Sequence, residues 1–303
     1  MNTVSSSNSV IKNRFQSVVL AFRPKTLTAS LVPCLAATAL AVTTSPDVQW
    51  WIFSYALMAS FFIQIGTNLV NDAMDFKKGA DTDARMGPQR ITHAGILTAQ
   101  QVLLLATLFF LGAVVLGFPL VKEGGTPIVT IGILSVLMGY GYTAGPYPLA
   151  YRGLGDLFVI LFFGLAAVMG LFFLHTKMWT IDSFILGLQI GLHATVLIAI
   201  NNLRDIDGDA KVNKRTLAVR LGISGAKKEI YFLCLAPFVL QAYWLVHGHY
   251  LATLLPFIAL PLAIKIIKNV QNTAPSVQYN KFLGQSAGLH LIFGLLISIG
   301  FII

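Results

Sequence analysis

Apolar and polar positions in this chain are sorted into long blocks rather than into the alternating stripe of a soluble helix or strand. Nine apolar stretches, near 26–44, 50–70, 101–121, 126–143, 156–174, 183–202, 229–247, 249–268 and 284–303, are separated by polar connections. A hydrocarbon core about 30 Å thick needs roughly 20 apolar residues per helix, so the pattern predicts nine membrane-spanning helices and an all-α membrane protein. An odd number of spans puts the termini on opposite sides. Alternating the connections between sides places every one of the 21 Lys and Arg residues except Lys122 and Lys177 on one face. Basic residues are retained on the cytoplasmic side during insertion. The N-terminus is therefore expected inside and the C-terminus outside, with 1–25 a cytoplasmic tail and 26–303 a single polytopic domain. Trp50, Trp51, Trp179 and Trp244 fall near the outer ends of spans, where an amphipathic ring prefers to sit.

Composition supports this reading. Of 303 residues 56% are hydrophobic and only 11% charged, with a mean hydropathy of +0.75, whereas soluble domains carry about 25% charge. The net charge of +9 is spread over short connections, which fits membrane sidedness and gives no nucleic-acid footprint. The first 25 residues hold no apolar stretch ending in a small-residue cleavage site, so no removable leader is expected. Cys34 and Cys234 lie inside apolar runs and read as small buried hydrophobes.

The chemistry concentrates in two long connections on the basic side, 71–100 and 203–228. The second span ends in Asn68-Leu69-Val70-Asn71-Asp72-Ala73-Met74-Asp75, followed by Asp81 and Asp83. At helical spacing Asn68 pairs with Asp72 and Asn71 with Asp75, and Gln64 extends that face one turn deeper. The sixth span ends in Asn201-Asn202-Leu203-Arg204-Asp205-Ile206-Asp207-Gly208-Asp209, where Asn201, Asp205 and Asp209 form one stripe. Carboxylates aligned on one face repel, and placing them near a membrane is costly, so a cation should lie between the two stripes. Hard cations take oxygen ligands, and Mg²⁺ is usually held by one or two carboxylates plus substrate phosphates. An EF-hand is excluded, because its sixth and twelfth positions here are Ala210 and Thr216. Asp83, Asp207 and Asp156 read as ordinary solvated loop acids. Lys77, Lys78, Arg85 and Arg90 follow the first acidic stretch, and Lys211, Lys214 and Arg215 the second; cations beside a metal cluster also bind diphosphate oxygens. The Gly- and Pro-rich connection Tyr140 to Asp156 breaks the helix, and its Arg152 is a candidate anion contact.

These motifs resemble the UbiA superfamily of intramembrane aromatic prenyltransferases over nearly the whole chain. Asn71-Asp72-Ala73-Met74-Asp75-Phe76-Lys77-Lys78-Gly79-Ala80-Asp81-Thr82, Tyr142-Thr143-Ala144-Gly145-Pro146 with Arg152-Gly153-Leu154-Gly155-Asp156, and Asn201-Asn202-Leu203-Arg204-Asp205 with Lys214-Arg215-Thr216-Leu217-Ala218 are similar to the branch that uses 1,4-dihydroxy-2-naphthoate. The general pattern wants an acid at position 79, where this chain has Gly79, and the naphthoate branch moves it to Asp81. The resemblance implies nine helices around a central cavity in the cytoplasmic (inner) membrane, Mg²⁺ bridging the diphosphate of an all-trans polyprenyl donor, and a lateral opening for its tail. It implies attack by an aromatic acceptor, with loss of CO₂, to give demethylmenaquinol in menaquinone biosynthesis. Asp75 and Asp205 become the central acids; Asn71, Asp72, Asp75, Asp81, Asp205 and Asp209 the metal ligands; and Asn68, Asn71, Lys77, Tyr142, Arg152, Asn201 and Lys214 the substrate contacts. The alternatives are a related enzyme using 4-hydroxybenzoate or homogentisate, and a secondary transporter, which would place its acids near the bilayer midplane.

Overall fold

The computed structural model describes residues 17–45, 47–81, 86–87 and 90–303. The tail residues 1–16, with Lys12 and Arg14, and the loop positions Thr82, Asp83 and Arg85 lie outside the described residues. Among the described residues the architecture is entirely helical, with no strand. Its principal elements are α1 (Thr28–Thr44), α2 (Trp50–Lys77), α3 (Ala99–Gly141), α4 (Gly155–Thr176), α5 (Ile181–Arg204), α6 (Ile206–Lys211), α7 (Leu217–Val246), α8 (Tyr250–Asn272) and α9 (Tyr279–Ile302). Seven of them, α2 to α5 and α7 to α9, are long and apolar enough to cross a membrane, and α1 is a shorter apolar helix.

Local chemistry sets the boundaries. Thr98 and Gln101 cap α3 reciprocally, Gln101 N–H donating to Thr98 Oγ1 at 3.3 Å and Thr98 N–H to Gln101 Oε1 at 2.9 Å. At 43 residues, α3 would be about 65 Å long if straight, twice the hydrocarbon core. It is interrupted at Gly125, whose φ of 62° and ψ of −149° leave the helical region and suit a residue without Cβ. The expected stretches 101–121 and 126–143 are thus two arms of one broken rod. Beyond its apolar part α2 continues through the acidic motif to Lys77, and this keeps the amides and carboxylates in helical register.

Helices pack on their chain neighbours, and α9 closes the arrangement against α1. Alanines make α1 slim: Ala36, Ala37 and Ala41 are fully buried where α4 and α9 approach. A seven-residue π-helical segment, Ile160–Ala166, interrupts α4. Its Gly164 lies against the backbone of α5, where a Cβ would come within 2.4 Å of the Gly187 carbonyl oxygen. Trp50, Trp51 and Trp179 are exposed as a membrane-interface ring would be. Trp244 is not: it is fully buried, donating to Gln189 Oε1 at 2.8 Å and packing on Phe301. Its indole N–H has a partner on α5, which makes burial affordable where sequence suggested an interface position.

Candidate active site

The last four turns of α2 carry a buried polar ladder. Gln64 donates to the Thr26 carbonyl at 2.6 Å and accepts from Ser30 at 2.5 Å. Asn68 donates to the Phe22 carbonyl at 3.2 Å, and Asn71 accepts from the Thr143 hydroxyl. Asp75, one turn on, is 3% exposed. Asp72 faces the other way and braces the following loop, accepting from Ile91 N–H at 3.2 Å, Thr92 N–H at 3.1 Å and the Thr92 hydroxyl at 2.5 Å.

Asp75 is the hub. Arg90 Nη2 donates to its Oδ2 at 3.1 Å, Lys214 Nζ stands 3.7 Å from the same oxygen, and the Tyr151 hydroxyl donates to Oδ1 at 2.9 Å. Arg90 Nε lies 3.7 Å from buried Asp81, and Lys214 Nζ 3.5 Å from Asp209. Two cations therefore sit between acids contributed by α2, the following loop and α6, in the space where repulsion between the stripes demands positive charge. Burial alone would lower the Arg90 pKa, but Asp75, Asp81, Asp72 and Asp205 outweigh it and raise it. Burial pushes the Asp209 carboxyl up to about 6, Lys214 opposing and Asp205 and Asp75 reinforcing the rise. Burial and Asp75 together raise the Tyr151 hydroxyl and keep it a donor.

The stripe on α5 is handled differently. Arg204, 1% exposed, donates to Asp205 at 2.6 and 2.8 Å, to Asn201 at 2.8 Å and to Asn280 of α9 at 2.6 Å. Asn280 in turn donates to the Met86 carbonyl at 2.9 Å. α5 ends at Arg204 and α6 starts at Ile206, so Asp209 leaves the Asn201–Asp205 pair and joins Lys214 and Asp75.

Of the anticipated residues, Asp75, Asp81, Asp209 and Lys214 converge, with Asp205 and Asn201 held by Arg204. Two anticipated cations do not join them: Lys77 is exposed at the end of α2, and Arg152 is exposed over the Tyr147 ring at 3.6 Å. Lys78 points inward in place of Lys77, donating to the Thr143 carbonyl at 2.6 Å and lying 4.0 Å from the Tyr151 ring centroid. Its position three residues after Asp75, on the same helical face, was a usable signal. Nothing in local spacing marked Tyr151 or Arg204. Asp207 is exposed, as a solvated acid should be. Asp156 is not: it is 4% exposed in the first turn of α4, its carboxyl against Glu229 of α7.

Below the charged cluster lies an apolar cavity of about 500 Å³, walled by α1, both arms of α3, α2 and α4. Gln64 and Thr67 line it one turn beneath Asn68 and Asn71, so a single helix, α2, carries both the cavity wall and the acids. Tyr142 tilts against Phe158 at 5.1 Å and Phe158 stacks on Phe162 at 4.6 Å, an aromatic run descending along the cavity.

Among the described residues no three acidic, His or Cys side chains converge tightly enough to enclose a metal unaided. The donor set still fits Mg²⁺, which asks for one or two carboxylates and completes its shell with water and phosphate. The ammonium of Lys214 between Asp75 and Asp209 marks a place where these acids already hold positive charge. Arg90 Nη1 is buried with no hydrogen-bond acceptor among the described residues, leaving an N–H available to an incoming anion.

The model of the UbiA prenyltransferase family matches residues 30–285. The 1,4-dihydroxy-2-naphthoate octaprenyltransferase of Haemophilus influenzae is 32% identical over 93% of this chain and 94% of its own length. The Escherichia coli protein of the same name is 31% identical over 95% and 96%. Among solved structures, a UbiA homolog from Archaeoglobus fulgidus bound to DMAPP and Mg²⁺ superposes with a TM-score of 0.59 at 16% identity, covering 93% of this chain and 99% of that one. The apo UbiA homolog from Aeropyrum pernix K1 gives 0.67 at 14% identity, over 91% and 96%.

Proposed function

This chain belongs to the UbiA prenyltransferase family, and from that membership we propose that it transfers an all-trans polyprenyl group from its diphosphate to 1,4-dihydroxy-2-naphthoate with loss of CO₂. The product is demethylmenaquinol, a precursor of menaquinone. One observation carries the reading: a cluster of acids and cations at the end of α2 stands two helical turns beyond an apolar cavity walled by the same helix. That pairing suits a substrate with a diphosphate head and a hydrocarbon tail. Naphthoate octaprenyltransferases at 31–32% identity over more than nine-tenths of the chain favour this acceptor.

Asp75, Asp81, Asp205 and Asp209, with the amides of Asn71 and Asn201, would hold Mg²⁺. When bound, the metal neutralises the diphosphate as its bond to the allylic carbon breaks. Arg90 presents its free N–H to a phosphate oxygen, and Lys78 and Lys214 add fixed positive charge preorganised around Asp75. Tyr151 and Arg204 hold Asp75 and Asp205 in place, and their hydrogen bonds set where the acids point. The apolar walls and the Tyr142–Phe158–Phe162 run exclude water from the allylic carbon, so the electron-rich ring is its available nucleophile. The ring carbon bearing the carboxylate forms the new C–C bond, and departure of CO₂ leaves its electron pair to restore aromaticity. No proton acceptor is needed for that exchange.

In the membrane we infer nine crossings of the cytoplasmic membrane. Counting the arms of α3 separately and adding α1 turns the seven long apolar helices into nine, and the basic residues around the acids favour a site on the inside. An acceptor competition tests the assignment. Purified protein offered equal 1,4-dihydroxy-2-naphthoate and 4-hydroxybenzoate should prenylate the naphthoate; preference for the benzoate would overturn the acceptor and leave the fold intact.

A further inference from the structure

The cavity is smaller than the donor it is proposed to take. A dry cavity of about 150 Å³ takes up one benzene, so the 500 Å³ available here houses on the order of 20 carbons. An octaprenyl chain, the length named for the relatives, has eight five-carbon units, about twice that. Half of such a tail has to leave the cavity while its head sits at Asp75.

The walls show where. A second apolar groove, bounded by Leu134, Leu161, Leu165, Met169 and Trp179, lies between the second arm of α3 and α4. Ile131, Phe162 and Ala166 belong to both hollows, forming a partition one side chain thick. Phe162 and Ala166 both lie in the π-helical segment Ile160–Ala166, and such segments are rare and frequent at functional sites. Gly164 in that segment is pressed onto Gly187 and Gly191 of α5, so α4 is anchored on its α5 side. On its α3 side, α4 meets Ile131 at Gly170 through a side chain rather than backbone. Trp179, stacked on Phe173 at 4.7 Å, forms part of the groove wall.

We propose that Ile131, Phe162 and Ala166 form a chain-length gate through which the distal isoprene units of a long donor pass from the cavity into the α3–α4 groove. Short donors stay wholly inside, and long ones reach the groove by displacing Phe162. This rests on the prenyl-transfer reading above and adds the path of the tail and the residues that sort donors by length.

The test compares geranyl diphosphate, which fits in the cavity, with octaprenyl diphosphate, which does not. Ala166→Trp thickens the partition, and Met169→Trp fills only the outer groove, where a chain arrives after leaving the cavity. Both should lower the octaprenyl-to-geranyl ratio of kcat/KM by about tenfold or more, the scale of discrimination that steric change in an apolar pocket gives. Phe162→Ala should raise that ratio. A thermal melt in detergent reports that each variant has folded. An unchanged ratio in Met169→Trp and Ala166→Trp would show that the tail leaves elsewhere and would overturn the gate. Wild-type protein inactive with both donors would remove the prenyl-transfer reading and the gate with it.

Discussion

Replacing Asp75 by Asn separates a catalytic role from a structural one. The Asp75 carboxylate is 3% exposed and bound by Arg90 at 3.1 Å, by Tyr151 at 2.9 Å and, more loosely, by Lys214 at 3.7 Å. Asn keeps an oxygen for the Tyr151 hydroxyl but turns the second acceptor into a donor facing Arg90. Removing one partner of a buried pair costs about 3–5 kcal/mol when nothing else compensates the other. Here Arg90 retains Asp81 and Lys214 retains Asp209, so the loss should approach that of one charged hydrogen bond, about 1.5–3 kcal/mol. A protein with 5–15 kcal/mol of stability remains folded after such a loss. Turnover should suffer far more, because losing one preorganised electrostatic group typically costs about 10²–10³ in rate. The assay is prenyl transfer per folded molecule across a Mg²⁺ titration, beside a thermal melt in detergent. Asp47→Asn, an exposed acid before α2, serves as the silent control. Full turnover of Asp75→Asn at limiting Mg²⁺ would refute the metal-diphosphate mechanism and favour a transport role for the acids.

Arg90→Lys should raise the KM for the diphosphate donor while leaving the melting temperature within a few degrees, because an ammonium keeps the charge opposite Asp75 but loses the planar fork; an unchanged KM would mean Arg90 only braces the acids. Gly164→Ala should destabilise the fold by about 1–3 kcal/mol, since its Cβ would meet the Gly187 carbonyl at 2.4 Å with only backbone to yield; an unshifted melt would show that the α4–α5 contact is looser than drawn. A reporter fused after Ile303 should be external and one before Met1 internal, and finding both on the same side would remove the nine-crossing topology. Chelation with EDTA should abolish turnover and added Mg²⁺ restore it, whereas persistence in EDTA would exclude a metal requirement.

Much of the site could be read from α2 because helical period is a local property. Gln64, Asn68, Asn71 and Asp75 are spaced to share a face, and the helix runs on through them. The partners of Asp75 could not be read the same way. Arg90, Tyr151 and Lys214 arrive from three different connections, and only tertiary packing brings them to one carboxylate. Lys77 and Lys78 are neighbours on a helix end, where 100° of rotation separates an exposed ammonium from one over the Tyr151 ring. Asp156 looked like a loop acid because a Gly-rich stretch precedes it, yet its helix turns it into the bundle beside Glu229. Hydropathy located the apolar spans well, but it could not show that two of them are one rod bent at Gly125, nor that Trp244 has an inward-facing partner in Gln189.

The central claim is that this chain joins a polyprenyl tail to a naphthoate ring and expels its carboxylate in the same turnover. Carboxyl-labelled 1,4-dihydroxy-2-naphthoate, incubated with the purified protein, octaprenyl diphosphate and Mg²⁺, tests it most directly by counting released CO₂ against prenylated product. One labelled CO₂ for each prenylated ring, with none released when the donor is omitted, is the predicted result. Prenylated product that retains the label, or no product at all in the presence of both substrates and Mg²⁺, would contradict it.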